Sequence, residues 1–165
     1  MKPQGFTLIE QLIALSILAI VLALGIPSLS EQIKNSHTKA AMHNLLHAIE
    51  TTRALAVSTN KRTVLLATDE DWAKGWKLFI DTDRNSELNG GETAKLESQG
   101  LTEVKTDPNT HVKKHVIFIG TGEVSQVGTI KICPKAAGTG YALVISRGGR
   151  TRVKTLSAEI CAAIP

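Results

Sequence analysis

Four sets of residues have types and spacings that could carry chemistry. Asp81-x-Asp83-x-Asn85, with Glu92 at the twelfth place counted from Asp81, spaces oxygen donors as a calcium loop does. Ser86 stands at the sixth place, where such loops use glycine for a sharp turn, and no second helix follows. The stretch therefore reads as a polar loop after a strand, with no metal assigned to it. His43 and His47 are one helical turn apart, and His111 and His115 share that interval, so either pair could hold zinc. Neither pair has an adjacent glutamate to act as base, and both read as solvated histidines. Cys133 and Cys161 lack CxxC spacing and a partner pair, which excludes a four-cysteine zinc site and leaves a single disulfide open.

The fourth set is basic and lies in ISRGGRTRVKTL near the C-terminus. Gly148-Gly149 sits between two β-prone runs and reads as a tight hairpin turn. On the strand that leaves it, Arg150, Arg152 and Lys154 alternate with Thr151, Val153 and Thr155. A period of two puts the three bases on one face, about 6.8 Å apart, with Arg147 near the turn. That spacing is close to the phosphate repeat of an extended or duplex strand, and arginine's planar fork donates two hydrogen bonds to one phosphate. Lys113, Lys114 and Lys131 are added as accessory contacts.

The elements that must position these groups follow from periodicity. Met42, Leu45, Leu46, Ile49 and Ala56 recur at helical spacing, while Lys39, His43, His47 and Glu50 fall on the wet side, so an amphipathic helix is expected up to Asn60. Short β-branched runs follow at 62–68, 75–81, 116–119, 128–132, 141–146 and 150–155. Residues 83–115 are polar and are expected to be connecting loops with one extra edge strand. The fold class is α+β, a helix packed on one or more antiparallel sheets.

Composition narrows the function classes. The formal charge is +4, but ten acids crowd Asp69 to Asp107, whereas residues 124–158 hold six bases and no acid. An aromatic share of 4% argues against a platform for stacking bases. No GxSxG, P-loop or recognisable Cys-His arrangement is present, so neither catalysis nor a cofactor is expected.

The N-terminus is the most specific segment. Residues 11–30 carry no charge, and a helix of about 20 residues crosses a hydrocarbon core of roughly 30 Å. Lys2 in the leader MKPQG fits an orientation with the leader in the cytoplasm and the chain after Ser30 translocated. The apolar run opens as GFTLIEQLIAL, with Glu10 the fifth residue beyond Gly5, and a carboxylate there is costly in lipid without a partner.

GFTLIE resembles the class III signal of type IV prepilins and type II secretion pseudopilins. The resemblance implies the type IV pilin fold, cleavage between Gly5 and Phe6 by a prepilin peptidase, and N-methylation of Phe6. It also implies that Glu10 pairs with the terminal amine of a neighbouring subunit during filament assembly. Pro27 resembles the helix-kinking position of these proteins. GWKLFIDTDRN is similar to the corresponding stretch of the GspH/FimT group, and GGRTRV resembles the GRxR motif of its FimT branch, matched by Gly149, Arg150 and Arg152.

The chain is thus expected to divide into a leader (1–5), a transmembrane and filament-core helix (6–29) and a soluble pilin domain (30–165). It would sit in the inner membrane with that domain in the periplasm, and at the cell surface in a pilus once assembled. In that oxidising compartment Cys133 and Cys161 are expected to bond. The FimT-type motif implies a minor pilin that binds double-stranded DNA for natural transformation. The alternative is a FimU-like or GspH-like structural subunit that primes filament assembly without binding DNA. Other pilin subunits are partners in either case.

Overall fold

The computed structural model describes residues 7–164, and of residues 24–31 the backbone alone. The expected leader junction Gly5–Phe6 and the side chain of Pro27 lie outside the described residues. Two compact units divide the chain, Met1–Ile33 and Lys34–Pro165. One helix, α1, runs Leu8–Thr59.

In the first unit α1 begins with a reciprocal cap. Glu10 Oε2 accepts from the Thr7 backbone N–H at 2.8 Å and from Thr7 Oγ1 at 2.9 Å, and Thr7 Oγ1 accepts from the Glu10 N–H at 3.4 Å. Thr-x-x-Glu is the capping-box spacing, and it satisfies donors that the first helical turn leaves open. The side chains described between Leu8 and Leu22 are all exposed, Leu8 at 80% and Ile9 at 62%. Among the described residues no helix is long and apolar enough to cross a membrane; part of the span expected at 11–30 falls on residues 24–31.

In the second unit the end of α1 and eight strands build the core. The strands are β1 Thr63–Ala67, β2 Trp76–Ile80, β3 Leu96–Ser98, β4 Val104–Pro108, β5 His115–Phe118, β6 Gly128–Pro134, β7 Gly140–Ile145 and β8 Thr151–Leu156. They form two antiparallel sheets of order β3-β2-β1-β5 and β4-β6-β7-β8. A short helix, α2, covers Ala158–Ala162. Ala41, Met42, Leu45, Ala48, Ile49 and Ala56 pack with Leu65, Trp72, Leu78, Phe118, Ile130 and Leu143 in one core. Each large side chain buried there contributes about 1.5–3 kcal/mol. The helix stops in a Schellman motif: Asn60 takes φ +50°, its N–H donates to the Val57 carbonyl and that of Lys61 to the Ala56 carbonyl.

One difference from the sequence expectation concerns residues 83–115, which hold two edge strands, β3 and β4, one at the rim of each sheet, rather than one. The LES and VKTDP runs carry charges and a proline, which a rim strand tolerates because one side of its ladder faces water.

Small satellite clusters cover the outward faces. On the first sheet Val64, Phe79 and Ile117 are covered by Leu88 from the β2–β3 loop. On the second, Leu156, Cys161 and Ile164 close over Cys133.

Candidate nucleic-acid interface

The β7–β8 hairpin is set by backbone and serine bonds. The Ser146 N–H and Oγ both donate to the Arg150 carbonyl, at 3.0 and 2.9 Å, and the Gly149 N–H donates to the Ser146 carbonyl at 2.8 Å. Gly149 has φ +74°, and a Cβ there would stand 2.1 Å from the Gly122 carbonyl oxygen and 2.8 Å from Arg53 Nε. Only glycine fits both restrictions. Gly148 faces open space, so the second glycine of the pair carries the constraint.

Arg53, on α1, holds the turn in place and was not legible in the sequence. Its Nε donates to the Gly122 carbonyl at 3.0 Å and its guanidinium to the Gly148 carbonyl at 3.2 Å, across separations of 69 and 95 residues. Its position on the wet side of the helix, near the helix end, offered no sign of either partner.

The basic residues fall in two groups. Arg152 and Lys154 are exposed on the outward side of rim strand β8, opposite Val144 and Ala142. Arg147 and Arg150 are exposed in the turn itself. Because β8 begins at Thr151, the alternation expected for three bases holds for two; Arg150 instead lines a shallow groove with Glu50, Arg53 and Val57. Lys131 pairs with Ala142, so Lys131, Ala142 and Lys154 make one outward row, with the two lysines roughly 9.6 Å apart across two strand spacings.

Lys131 binds Asp107 at 2.8 Å, Lys113 binds Glu70 at 3.2 Å and Lys114 binds Glu87 at 3.3 Å. Lys113 and Lys114 follow the turn beyond β4; Lys113 lies beside β4, at the rim opposite β8, and Lys114 leads into β5 of the first sheet, its carbonyl accepting from the Ala67 N–H. Among the described residues Arg147, Arg150, Arg152 and Lys154 make no ion pair.

Cys133 and Cys161 are bonded, with Cα atoms 5.5 Å apart, and a Cβ at Gly140 would collide with both sulfurs. The bridge fastens α2 across the outward face beside the basic row. The histidines stand apart from it. His43, His47 and His111 are exposed, whereas His115 is half-buried, and its charged form is disfavoured first by burial and then by Lys114 and Arg62. His115 thus departs from the solvated histidine expected.

A helix packed on two antiparallel sheets in this order is the type IV pilin fold. The sequence profile of the type II transport protein GspH matches residues 41–149, and that of the prokaryotic N-terminal methylation motif matches residues 1–26. The chain belongs to the GspH family, whose members are minor pilins and pseudopilins. Among solved structures it is similar to the type IV minor pilin FimU of Pseudomonas aeruginosa, with TM-score 0.64 and 21% identity over 73% of this chain and 90% of that one. It is also similar to the minor pseudopilin EpsH of the Vibrio cholerae type 2 secretion system, with TM-score 0.52 and 14% identity over 72% of this chain and 96% of that one. At such identities the likeness is one of fold. No curated protein matches the chain.

Proposed function

We propose that the chain is a minor pilin that binds double-stranded DNA without sequence preference through the β7–β8 hairpin and the outward side of β8, in support of DNA uptake during natural transformation. One observation carries the reading: Arg147, Arg150, Arg152 and Lys154 form no ion pair among the described residues, while Lys113, Lys114 and Lys131 each face an acid. A cation without a partner gives up no intramolecular bond to meet a phosphate, and each contact releases condensed counterions from the duplex. Gly149 serves by shape, letting the turn approach Gly122. Lys131 joins the row by exchanging Asp107 for phosphate, and Lys113 and Lys114 are secondary.

Cleavage after Gly5, methylation of Phe6 and anchoring of residues 6–29 in the inner membrane belong to the same proposal, with 1–5 as leader and 30–165 as the periplasmic domain. The exposed apolar surface from Leu8 to Leu22 supports it, since such a surface asks for lipid or a partner helix. Glu10 would exchange its bond to Thr7 for the amine of a neighbouring subunit. The mass of the mature chain checks the processing step: loss of residues 1–5 plus one methyl group is expected, and a mature polypeptide still beginning at Met1 contradicts it.

DNA binding is checked by gel retardation of duplex DNA by the unit from Lys34 onward. The native unit should retard DNA, and Arg150→Gln with Arg152→Gln should weaken retention at least about tenfold, two contacts of roughly 1 kcal/mol each. Equal retention by both would leave the second reading, a structural subunit that primes filament assembly. That reading is supported by the fold shared with FimU and EpsH and by the groove beside the hairpin, where Val57 is 51% exposed.

A further inference from the structure

The loop between β2 and β3 brings three carboxylates together. One oxygen each from Asp81, Asp83 and Glu92 lies within 4.8 Å of the others. A cluster of acids on a surface is ordinary, but here one member is fully buried. The Asp81 side chain is 0% exposed; its Oδ2 takes the Arg62 guanidinium at 2.9 Å and the Ser86 N–H at 3.1 Å, and its Oδ1 has no partner. Glu92 repeats the pattern, with Oε1 accepting from the Thr82 N–H at 2.6 Å and Oε2 buried and unpartnered. Buried oxygens without a donor are costly, and two of them on members of the same cluster point to a ligand that supplies positive charge.

We propose that Asp81, Asp83 and Glu92 bind a calcium ion. Three carboxylates against one guanidinium leave two negative charges (3 − 1 = 2), the charge of a divalent cation. The donors are all oxygen, with no histidine or cysteine among the three, which suits a hard ion rather than zinc. Their places, first, third and twelfth from Asp81, are those at which loops of this spacing supply side-chain oxygens; the fifth is Asn85 and the seventh offers the Glu87 carbonyl. The sixth-place serine does not prevent the turn, because Ser86 adopts φ +64°, the left-handed conformation usually left to glycine. Asn85 and Asn89 amides donate to Asp83 Oδ2 at 2.8 and 2.6 Å, and rotation of either amide would present an oxygen instead. The loop is already fastened by Leu88 on Val64, Phe79 and Ile117 and by the Glu87–Lys114 pair, so calcium would lock a formed loop rather than fold one. This inference does not depend on DNA binding.

The test is thermal unfolding of the full chain in detergent, followed by the fluorescence of the buried Trp72 and Trp76, in EDTA, in about 10 mM calcium chloride and in about 10 mM magnesium chloride. For an affinity of the extracellular-module class, about 0.1–1 mM, calcium should raise the folding equilibrium constant about ten- to a hundredfold, seen as a higher midpoint. Magnesium, which holds its water and demands strict octahedral geometry, should do far less. Asp83→Asn, at an exposed position, should fold normally and lose most of the response, and Glu92→Gln likewise. An unchanged midpoint in calcium, equal shifts with both ions, or a full shift retained by the Asp83→Asn Glu92→Gln chain would each overturn the proposal.

Discussion

The outward faces of the two sheets share a construction and differ in charge. Each is half-covered by a small apolar cluster, Leu88 over Val64 and Phe79 on the first sheet and the cystine with Leu156 and Ile164 on the second. On the first face three cations are answered by acids, Lys77 by Glu97 at 3.0 Å, Arg62 by Asp81 and Lys114 by Glu87, while Arg84 and Lys95 of the β2–β3 connection make no ion pair among the described residues. On the second, Asp107 answers Lys131, and Arg152, Lys154 and the turn arginines stand without an acid. Composition alone would call both regions charged. What separates them is how much of the charge is paired: the mostly paired face is close to neutral energetically, and the unpaired cations clustered on the other keep their full attraction for a polyanion.

The comparison breaks first at the turn that holds the second face in place. Gly149→Ala adds a Cβ 2.1 Å from the Gly122 carbonyl at a backbone φ of +74°. The strain and clash together should cost about 2–5 kcal/mol, read from the urea midpoint, and DNA retention should fall with it. Gly148→Ala, facing open space, should leave the midpoint nearly unchanged; equal losses at the two positions would remove the close approach as the cause. Cys133→Ser with Cys161→Ser comes next, releasing α2 from the same face at a cost of about 2–4 kcal/mol in thermal unfolding. If the midpoint matched that of the bonded protein, the bridge would be idle. The smallest effect is expected on the lysines that already have partners. Lys113→Gln with Lys114→Gln should change duplex affinity less than about twofold, because exposed pairs contribute little and phosphate must compete with Glu70 and Glu87. A loss as large as that of the arginine pair would erase the distinction between the faces.

Much of this was legible in the sequence, for physical reasons that can be named. The amphipathic part of α1 showed in Met42, Leu45, Ile49 and Ala56, all buried, because one helix face meets one core. Six strands showed because β-branched residues alternate on half-buried sheets. Of the rim strands β3 and β4 one was expected, without a place, and the other was not, since a strand wet on one side and polar in composition gives no alternation to read. The basic residues were visible, but their division was not: pairing of Lys131 with Asp107 joins residues 24 apart across a sheet, and only the strand register brings them together. Arg53 was invisible for the same reason, and although Gly149 was read in the turn, its close approach to Gly122 was not, since these partners are distant in the chain. The acidic loop was visible as a spacing, and its weight changed once Ser86 was found at positive φ and Asp81 buried with an orphan oxygen.

The salt dependence of duplex binding tests the central claim most directly. With about 0.9 counterion released per phosphate neutralised, the four unpaired cations predict a slope of log affinity against log salt of roughly −2 to −4. Arg150→Gln with Arg152→Gln should make that slope shallower by about 2, with the thermal midpoint unchanged. A slope identical in both proteins would mean that these arginines do not meet phosphate, and the reading of this face as a DNA-binding surface would be wrong.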